Sequence, residues 1–549
     1  MMGLLSSDAA APDRVERRRT THWTFLLAAA WGLLVAVALA LRPILPVDET
    51  RYVSVAWEMW VRGDLLVPHL NGLPYSDKPP LLFWLFHLGW EIFGVNDWWP
   101  RLVPSLFALA NLLLTAALAR RLWPDRPGVA RAVPWILLGF LLWSVFTTMV
   151  MFDMLVTFCV LLALLGLEAA RRQGGWLPWA QVGGALGLGL LAKGPVVFIV
   201  PLGVALLAPW WGRGERWRGT RGGRWALGLL AAVALGAAIA LAWALPAARA
   251  GGEAYGNAIL LSQTEERVIQ SFAHRRAWWW YLPFLPLLLY PYSLWAPLWK
   301  AAARLRRGPV DPGVRFALAW IVPGLVVFSA VSGKQPHYLL PLLPGFALLA
   351  ARLLDEPLAV PKRWHLLPPL CGLFAVGGAM AAAPFAAKAG HVPAWASQVS
   401  AGAGVALIAA GVGFLFSFER LFAHRRAALT LLTLALVAAV SLGFSEAARE
   451  AYDLEPIARY LWVTERQGRA IAYSGDYHGQ FHFLGRLEHP IEEIIPGSER
   501  LWIREHPYGR VIQDLHYLPP GIARAEFTQP YRGGDVLAVW GYEGLVRSP

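Results

Sequence analysis

Six short stretches spend charge and hydroxyl groups in an otherwise apolar chain. VDETRY (47–52) sets Asp48 and Glu49 side by side, with Arg51 and Tyr52 one turn on. YSDKPPLLFW (75–84) places Tyr75, Asp77 and Lys78 ahead of two prolines. TMVMFDMLV (148–156) puts Asp153 among apolar neighbours. LAKGP (191–195) carries Lys193, and SGKQPHYLLPLLP (332–344) carries Lys334, His337 and Tyr338. QTEERVIQSFAHRRAWWWYLP (263–283) gathers Glu265, Glu266, Arg267, His274, Arg275 and Arg276 before three tryptophans. Carboxylates can orient or deprotonate an acceptor, while lysines and arginines neutralise a phosphate.

Each stretch also has a structural reading. Asp48 can cap a helix over 49–61, with Glu49 favourable in its first turn. Lys78 can snorkel to a lipid headgroup. Asp153 can cap a helix over 154–170, although a carboxylate inside apolar segments is a functional candidate by default. A capping carboxylate can also face a site, so the two readings coexist.

The elements that must hold these groups cross a membrane. The chain has 549 residues, 57% of them hydrophobic and 15% charged, with a mean hydropathy of +0.45. A soluble domain cannot bury that much apolar surface. Spanning helices are expected at about 22–42, 101–121, 133–149, 153–170, 178–193, 195–211, 224–246, 278–299, 314–331, 338–353, 365–385, 401–418 and 427–443, each about long enough for a ~30 Å hydrocarbon core. Gly194 and Pro195 make the fifth and sixth the weakest. The 29 Trp and 15 Tyr suit interfacial belts and sugar-binding surfaces. Cys159 and Cys371 both lie in apolar runs, which predicts buried thiols and no disulfide.

The net charge of +13 does not point to nucleic acid, because the basic residues sit in short loops between apolar runs. Loops 120–131, 213–224, 300–315, 352–363 and 420–426 are rich in arginine and lysine, and they are expected to be cytoplasmic, as is the N-terminus with Arg14, Arg17, Arg18 and Arg19. No small-residue cleavage site follows, so the first apolar run reads as an uncleaved helix. An even number of crossings must then separate the N-terminus from loop 120–131. The run at 79–95, with His87 and Glu91, therefore lies in the outer interface, with a second interfacial helix at 49–61. Residues 43–100 and 247–277 become outer loops of a membrane domain over 1–444. Residues 445–549 change character, with strand-like runs at 470–475 and 535–542, and read as a small outer α/β domain. If the helices pack as a bundle, Lys193, Lys334, His337 and Tyr338 converge on the outer face. Carboxylates, lysines, arginines and aromatics at one bilayer surface suit a charged headgroup, most simply a lipid phosphate carrying a sugar.

VDETRY, YSDKPPLLFW, FDM (152–154), LAKGP and KQPHYLLPLLP (334–344) resemble motifs of the GT-C superfamily of polyprenyl-phosphate-dependent glycosyltransferases. The resemblance covers most of residues 22–355. It is strongest to the branch containing the lipid A aminoarabinose transferase and the bacterial relatives of protein O-mannosyltransferases. Asp77 stands where that branch often has Glu, a conservative departure.

The resemblance implies a multi-pass bacterial inner-membrane enzyme with a cytoplasmic N-terminus and a periplasmic C-terminal domain, acting as a monomer among membrane lipids. It implies transfer of 4-amino-4-deoxy-L-arabinose from undecaprenyl phosphate to a lipid A phosphate by an inverting displacement. Lys78, with Arg267, would stabilise the leaving lipid phosphate. Tyr75 and Tyr338 would close over it. Asp48, beside Glu49, would serve as the catalytic carboxylate and Asp153 would bind the sugar amine. Arg51, Tyr52, Lys193, Lys334 and His337 are further candidates. No cofactor is expected. Asp77 and His274 could form a structural divalent-metal site if the outer loops meet, although a lone His is more often simply hydrogen-bonded. Two alternatives stay open: a related transferase of mannose or another sugar to a protein or glycan, and a transporter of lipid-linked sugars. A transporter should show internal repeats and charges near the bilayer midplane, and the sequence has neither.

Overall fold

The structure is a computed structural model that describes residues 14–213, 222–262, 276–304, 310–356, 362–421, 425–517 and 522–546. Helix α1 (Arg14–Leu41) carries the first apolar run. Helix α2 (Asp48–Arg62) follows after six residues. A two-stranded hairpin comes next, β1 (His69–Leu70) with β2 (Leu73–Pro74), turned by Asn71 and Gly72 at φ 54° and 83°. Positive φ at both central residues is what an Asn-Gly turn supplies at little cost. Pro79 and Pro80 then lead into α3 (Leu81–Phe93), whose 13 residues are too few to span a bilayer. Helices are thus present at both of the positions expected between the first two spans, as α2 and α3. Helix α4 (Trp98–Leu122) is the next long apolar element.

Seven described helices are long and apolar enough to cross a membrane, or eight if the bent pair Ala428–Gly443 and Ser445–Arg466 is taken as one span. The expected count of thirteen is not reached by this measure, and prolines explain much of the difference. The span expected at 133–149 is divided into α5 (Pro127–Gly139) and α6 (Leu141–Phe146), with Phe140 extended between them. The span at 195–211 becomes a 3-10 turn at Pro195–Phe198 followed by helices Ile199–Leu206 and Ala208–Trp211. The spans at 278–299 and 338–353 are broken around Pro286, Pro291, Pro341 and Pro344. Proline removes a backbone donor and clashes with the preceding turn, so the breaks after the first of these are local. Helix α7 (Asp153–Gln173) is the most deeply enclosed span. Helix α8 (Leu177–Lys193) packs on the helix Gly223–Ala250 through Gly183 and Gly187, and a Cβ on Gly187 would meet Ile239 at 2.7 Å. Small residues four apart permit this approach and fix the end of α8, where Lys193 stands.

The C-terminal part is an α/β domain, as expected. Strands β3 (Ile471–Ser474), β4 (Glu492–Ile494), β5 (Arg510–Leu515), β6 (Phe527–Tyr531) and β7 (Asp535–Trp540) form a sheet in the order β4-β3-β5-β7-β6. β3 runs parallel to β4 and β5, and the β5–β7 and β6–β7 pairs are antiparallel. The domain has its own core around Ile457, Phe481 and Ile512, yet Phe483 belongs to the core of the helical part. Cys159 is buried as expected, but Cys371 is exposed on the outside of its helix. An apolar run fixes a residue's depth and leaves its facing open.

Candidate active site

Four of the stretches, 47–52, 75–84, 148–156 and 191–195, meet His337 and Tyr338 of a fifth. Neither aspartate is a cap. Val47 occupies the N-cap position of α2 and Phe152 that of α7, and neither helix start has a side-chain cap bond. The two carboxylates, each the first residue of its helix, point to other partners. Asp48 Oδ1 accepts a hydrogen bond from Arg51 at 2.8 Å, and its side chain is 48% exposed. A half-exposed pair of this kind is worth under ~1 kcal/mol to the fold. Asp153 is buried, and its Oδ1 takes a bond from Lys193 Nζ at 2.7 Å. Asp153 Oδ2 is also buried and makes no hydrogen bond among the described residues. Buried polar atoms are normally satisfied, so this oxygen can take one more donor.

Two aromatic groups register the convergence. His337 feels the charges of Asp153, Lys193, Asp48 and Lys78. Burial first, then Asp48 and Tyr75, keep the Tyr52 phenol protonated far above its usual range, and Arg51 and Asp153 also act on it. Tyr52 meets Phe152 edge-on at 4.9 Å, and Phe152 precedes Asp153. Lys193 lies 5.2 Å from the centre of the Tyr338 ring, a cation–π distance. The His337 ring packs between Phe146 and Tyr338, with centroids 5.5 and 4.8 Å away. Asp48, Arg51, Tyr52, Tyr75, Lys78, Asp153, Lys193, His337 and Tyr338 therefore share one neighbourhood.

Other candidates stand apart or are committed elsewhere. Lys334 is buried and donates to the carbonyls of Val331 and Arg276. It fastens the end of the helix Pro312–Ala330 to the chain at Arg276 and does not share the site with Lys193. Glu49 is buried, and both its oxygens are occupied. It pairs with Arg42 and accepts from the backbone N–H of Leu45 at 2.8 Å and of Val150 at 2.7 Å. Arg42 also donates to Thr148 O at 2.7 Å. Asp77 is exposed, and its carbonyl lies 3.4 Å from Lys78 Nζ. Arg267 and His274 lie outside the described residues. So does any metal site pairing His274 with Asp77.

Among the described residues, the side chains close enough to share a cation are Asp514, His516 and Asp535, at the β5 and β7 ends of the C-terminal sheet. Arg532 acts electrostatically on Asp514 and His516 there, which argues against a cation.

Sequence reasoning missed Arg42 and Arg101. Arg101 is buried and donates to the carbonyls of Ala38, Leu39 and Arg42, in the last turn of α1 and just beyond it. The signal was an arginine at each edge of an apolar run, which snorkelling explains as readily.

Residues 77–243 match the family model described as dolichyl-phosphate-mannose-protein mannosyltransferase, a segment that holds Lys78, Asp153 and Lys193. The chain is 34% identical over 349 residues to the undecaprenyl phosphate-alpha-4-amino-4-deoxy-L-arabinose arabinosyl transferase of Pseudomonas paraeruginosa, covering 63% of this chain and 61% of that protein. It is 29% identical over 351 residues to the enzyme of the same name from an Enterobacter species, with 63% and 61% covered. The chain thus matches about three fifths of the length of these curated relatives. The crystal structure of ArnT from Cupriavidus metallidurans in the apo state superposes with a TM-score of 0.74 at 21% identity, over 97% of this chain and 100% of that one. The same protein bound to undecaprenyl phosphate gives 0.72 at 21% identity, over 94% and 98%. The chain therefore shares the fold of these solved structures and is similar in sequence to the arabinosyl transferases over about three fifths of their length.

Proposed function

We propose that this chain transfers 4-amino-4-deoxy-L-arabinose from undecaprenyl phosphate to a phosphate of lipid A, on the periplasmic face of a bacterial inner membrane. The observation that carries this reading is the cluster of Asp48, Lys78, Asp153 and Lys193 about His337. The names of the curated relatives agree with it. The basic loops orient the N-terminus to the cytoplasm and the C-terminal domain to the periplasm, and the chain acts as a monomer.

The bond between the sugar's anomeric carbon and the donor phosphate oxygen breaks, and that oxygen keeps the electron pair. Lys78, joined by Arg267, neutralises the charge that develops there. The new bond forms from an acceptor phosphate oxygen to the opposite face of the anomeric carbon. A phosphate monoester with a second pKa of ~6 is already largely ionised near neutrality, so the acceptor needs placement more than deprotonation. Asp48, accessible and only loosely tied to Arg51, orients it and offsets positive charge on the ring. Asp153 Oδ2 receives the protonated sugar amine. Tyr75 and Tyr338 flank the donor phosphate. Nothing in this scheme calls for a cofactor.

The family model over residues 77–243 favours a second reading, transfer of mannose to a protein. Both readings are tested in a strain lacking its own aminoarabinose transferase, complemented with this chain or with Asp48→Ala. Mass spectrometry of lipid A should show a pentosamine adduct with the wild type alone. A well-expressed wild type with no adduct sinks the first reading and favours the second.

A further inference from the structure

Helix α2 is held from two sides, and only one of them is the membrane domain. At its start Glu49 ties it to Arg42, Leu45 and Val150. One and two turns later, Ser54 and Trp57 reach the C-terminal domain. Ser54 Oγ donates to Gly479 O at 2.6 Å and accepts from Phe483 N at 3.1 Å. Trp57 Nε1 donates to Leu487 O at 2.8 Å. The hairpin after α2 adds Asn71, whose amide accepts from Ile491 N at 2.8 Å and donates to Ile491 O at 2.9 Å. Glu58 ties that hairpin back to α2, since its Oε1 accepts from Gly72 N at 2.8 Å.

These partners are backbone groups of 479–491, outside the sheet ladder. A buried backbone group without a partner costs about as much as a lost hydrogen bond, so this stretch depends on α2 for its shape. Packing supports the same contact. Trp90 of α3 stacks on Phe483 at 5.5 Å with 9° between the planes. The Arg486 guanidinium lies 5.4 Å from the Trp57 ring. Gly479 has φ +76°, and a Cβ there would sit 2.4 Å from Leu70 Cδ1. A Cβ on Gly72 would sit 2.8 Å from Pro490 Cγ. Both backbones come too close for a side chain between them.

We infer that the C-terminal domain positions the catalytic helix: Ser54, Trp57 and Asn71 lock α2 to residues 479–491 and thereby fix Asp48, Arg51 and Tyr52 over the site. This rests on the reading that Asp48 acts in transfer. Asp48 and Ser54 are six residues apart, or about 9 Å along the helix. A tilt about the contact therefore moves the Asp48 carboxylate by a good fraction of an ångström or more, and an error of ~1 Å at a reacting group costs about 10²-fold in rate.

The test uses the full chain in lipid nanodiscs, with Ser54→Ala, Asn71→Ala and Trp57→Phe. Trp57→Phe keeps the ring packing and removes one hydrogen bond, so it serves if the other two fold poorly. Amide exchange within 48–62 should speed by about tenfold in each variant, and turnover per folded molecule should fall by a similar factor. The KM for the donor lipid should stay within about twofold, since Lys78 is carried by the chain beyond α2 and not by the helix itself. Unchanged exchange in 48–62, or unchanged turnover per folded molecule, overturns the inference. If the wild type transfers no aminoarabinose, the functional reading fails, and the exchange comparison alone decides the positioning role.

Discussion

Lys193 Nζ lies 2.7 Å from Asp153 Oδ1, and the other oxygen of Asp153 is buried with no hydrogen bond among the described residues. A buried pair that loses one partner leaves an uncompensated charge, which costs about 3–5 kcal/mol. Lys193→Ala and Asp153→Ala should each lower thermal stability markedly. The double variant Asp153→Asn, Lys193→Met should recover much of it, because replacing both charges can be nearly neutral. On the proposed mechanism activity should not return, because the amide carries no charge to pair with the sugar amine. Thermal unfolding in detergent alongside a transfer assay separates the two effects, and a double variant that transfers normally would make the pair merely structural.

Glu49 sits beside Asp48 in sequence and does a different job. Its two oxygens join Arg42 to the backbone of Leu45 and Val150, so one side chain ties the start of α2 to the strand of chain that leads into Asp153. Glu49→Gln keeps the size and removes the charge that Arg42 needs, a loss of about 1–3 kcal/mol. Turnover should fall roughly 10²-fold through displacement of Asp48, with donor affinity little changed. Steady-state kinetics that show a rise in KM alone would instead put Glu49 in contact with substrate.

How much of this was legible beforehand depends on what kind of fact is asked for. That the run at 79–95 would not be a spanning helix followed from parity and loop charge, because topology is written in where arginines fall between apolar runs, and α3 is indeed too short to span. The meeting of Asp48, Lys78, Asp153, Lys193, His337 and Tyr338 followed from all of them standing at the same ends of the helices. Which carboxylate is free could not be read. Asp48 and Glu49 are adjacent and chemically alike, and only the path of the chain at 148–150 makes Glu49 a fastening. Lys334 failed for a similar reason, since its depth was right but its side chain turns to Val331 and Arg276. The docking of Ser54 on Gly479 spans 425 residues and leaves no local pattern at either end.

Asp48 and Lys78 should fail in different ways. Asp48→Asn keeps shape and loses charge, so turnover should fall by about 10²–10⁴-fold while undecaprenyl phosphate still binds. On the proposed mechanism Lys78→Ala removes a charge-assisted contact with the donor phosphate worth about 1.5–3 kcal/mol, and should raise the donor KM by roughly 10- to 100-fold. Lys78→Arg should restore part of that binding. Measuring kcat and donor KM for the three variants checks the division of labour; equal losses of both parameters in Asp48→Asn and Lys78→Ala would refute it.

His482 gives the contact between the domain and α2 a pH dependence whose sign is fixed. Burial pushes its pKa down to about 4 from 6.5. One ring nitrogen takes the Tyr477 hydroxyl at 2.8 Å and the other donates to His489 O at 3.2 Å, a pattern that the neutral ring satisfies. Between pH 6.5 and 4 the unfolded chain binds a proton that the folded domain refuses. Stability is therefore complete above pH 6.5 and is lost progressively as pH falls to about 4, up to a ceiling of about 3 kcal/mol. His482 is next to Phe483, whose N–H bonds Ser54, so the loss should appear first as faster amide exchange in 477–493 and in α2. His516 titrates in the opposite sense, because Asp535 raises its pKa and holds the proton, and its contribution stays in both proteins being compared. His482→Gln cannot take up that proton. Relative to intrinsic exchange at each pH, protection of 477–493 should fall less from pH 6.5 to 4 in this variant than in the wild type, and parallel pH profiles in the two would assign the effect elsewhere.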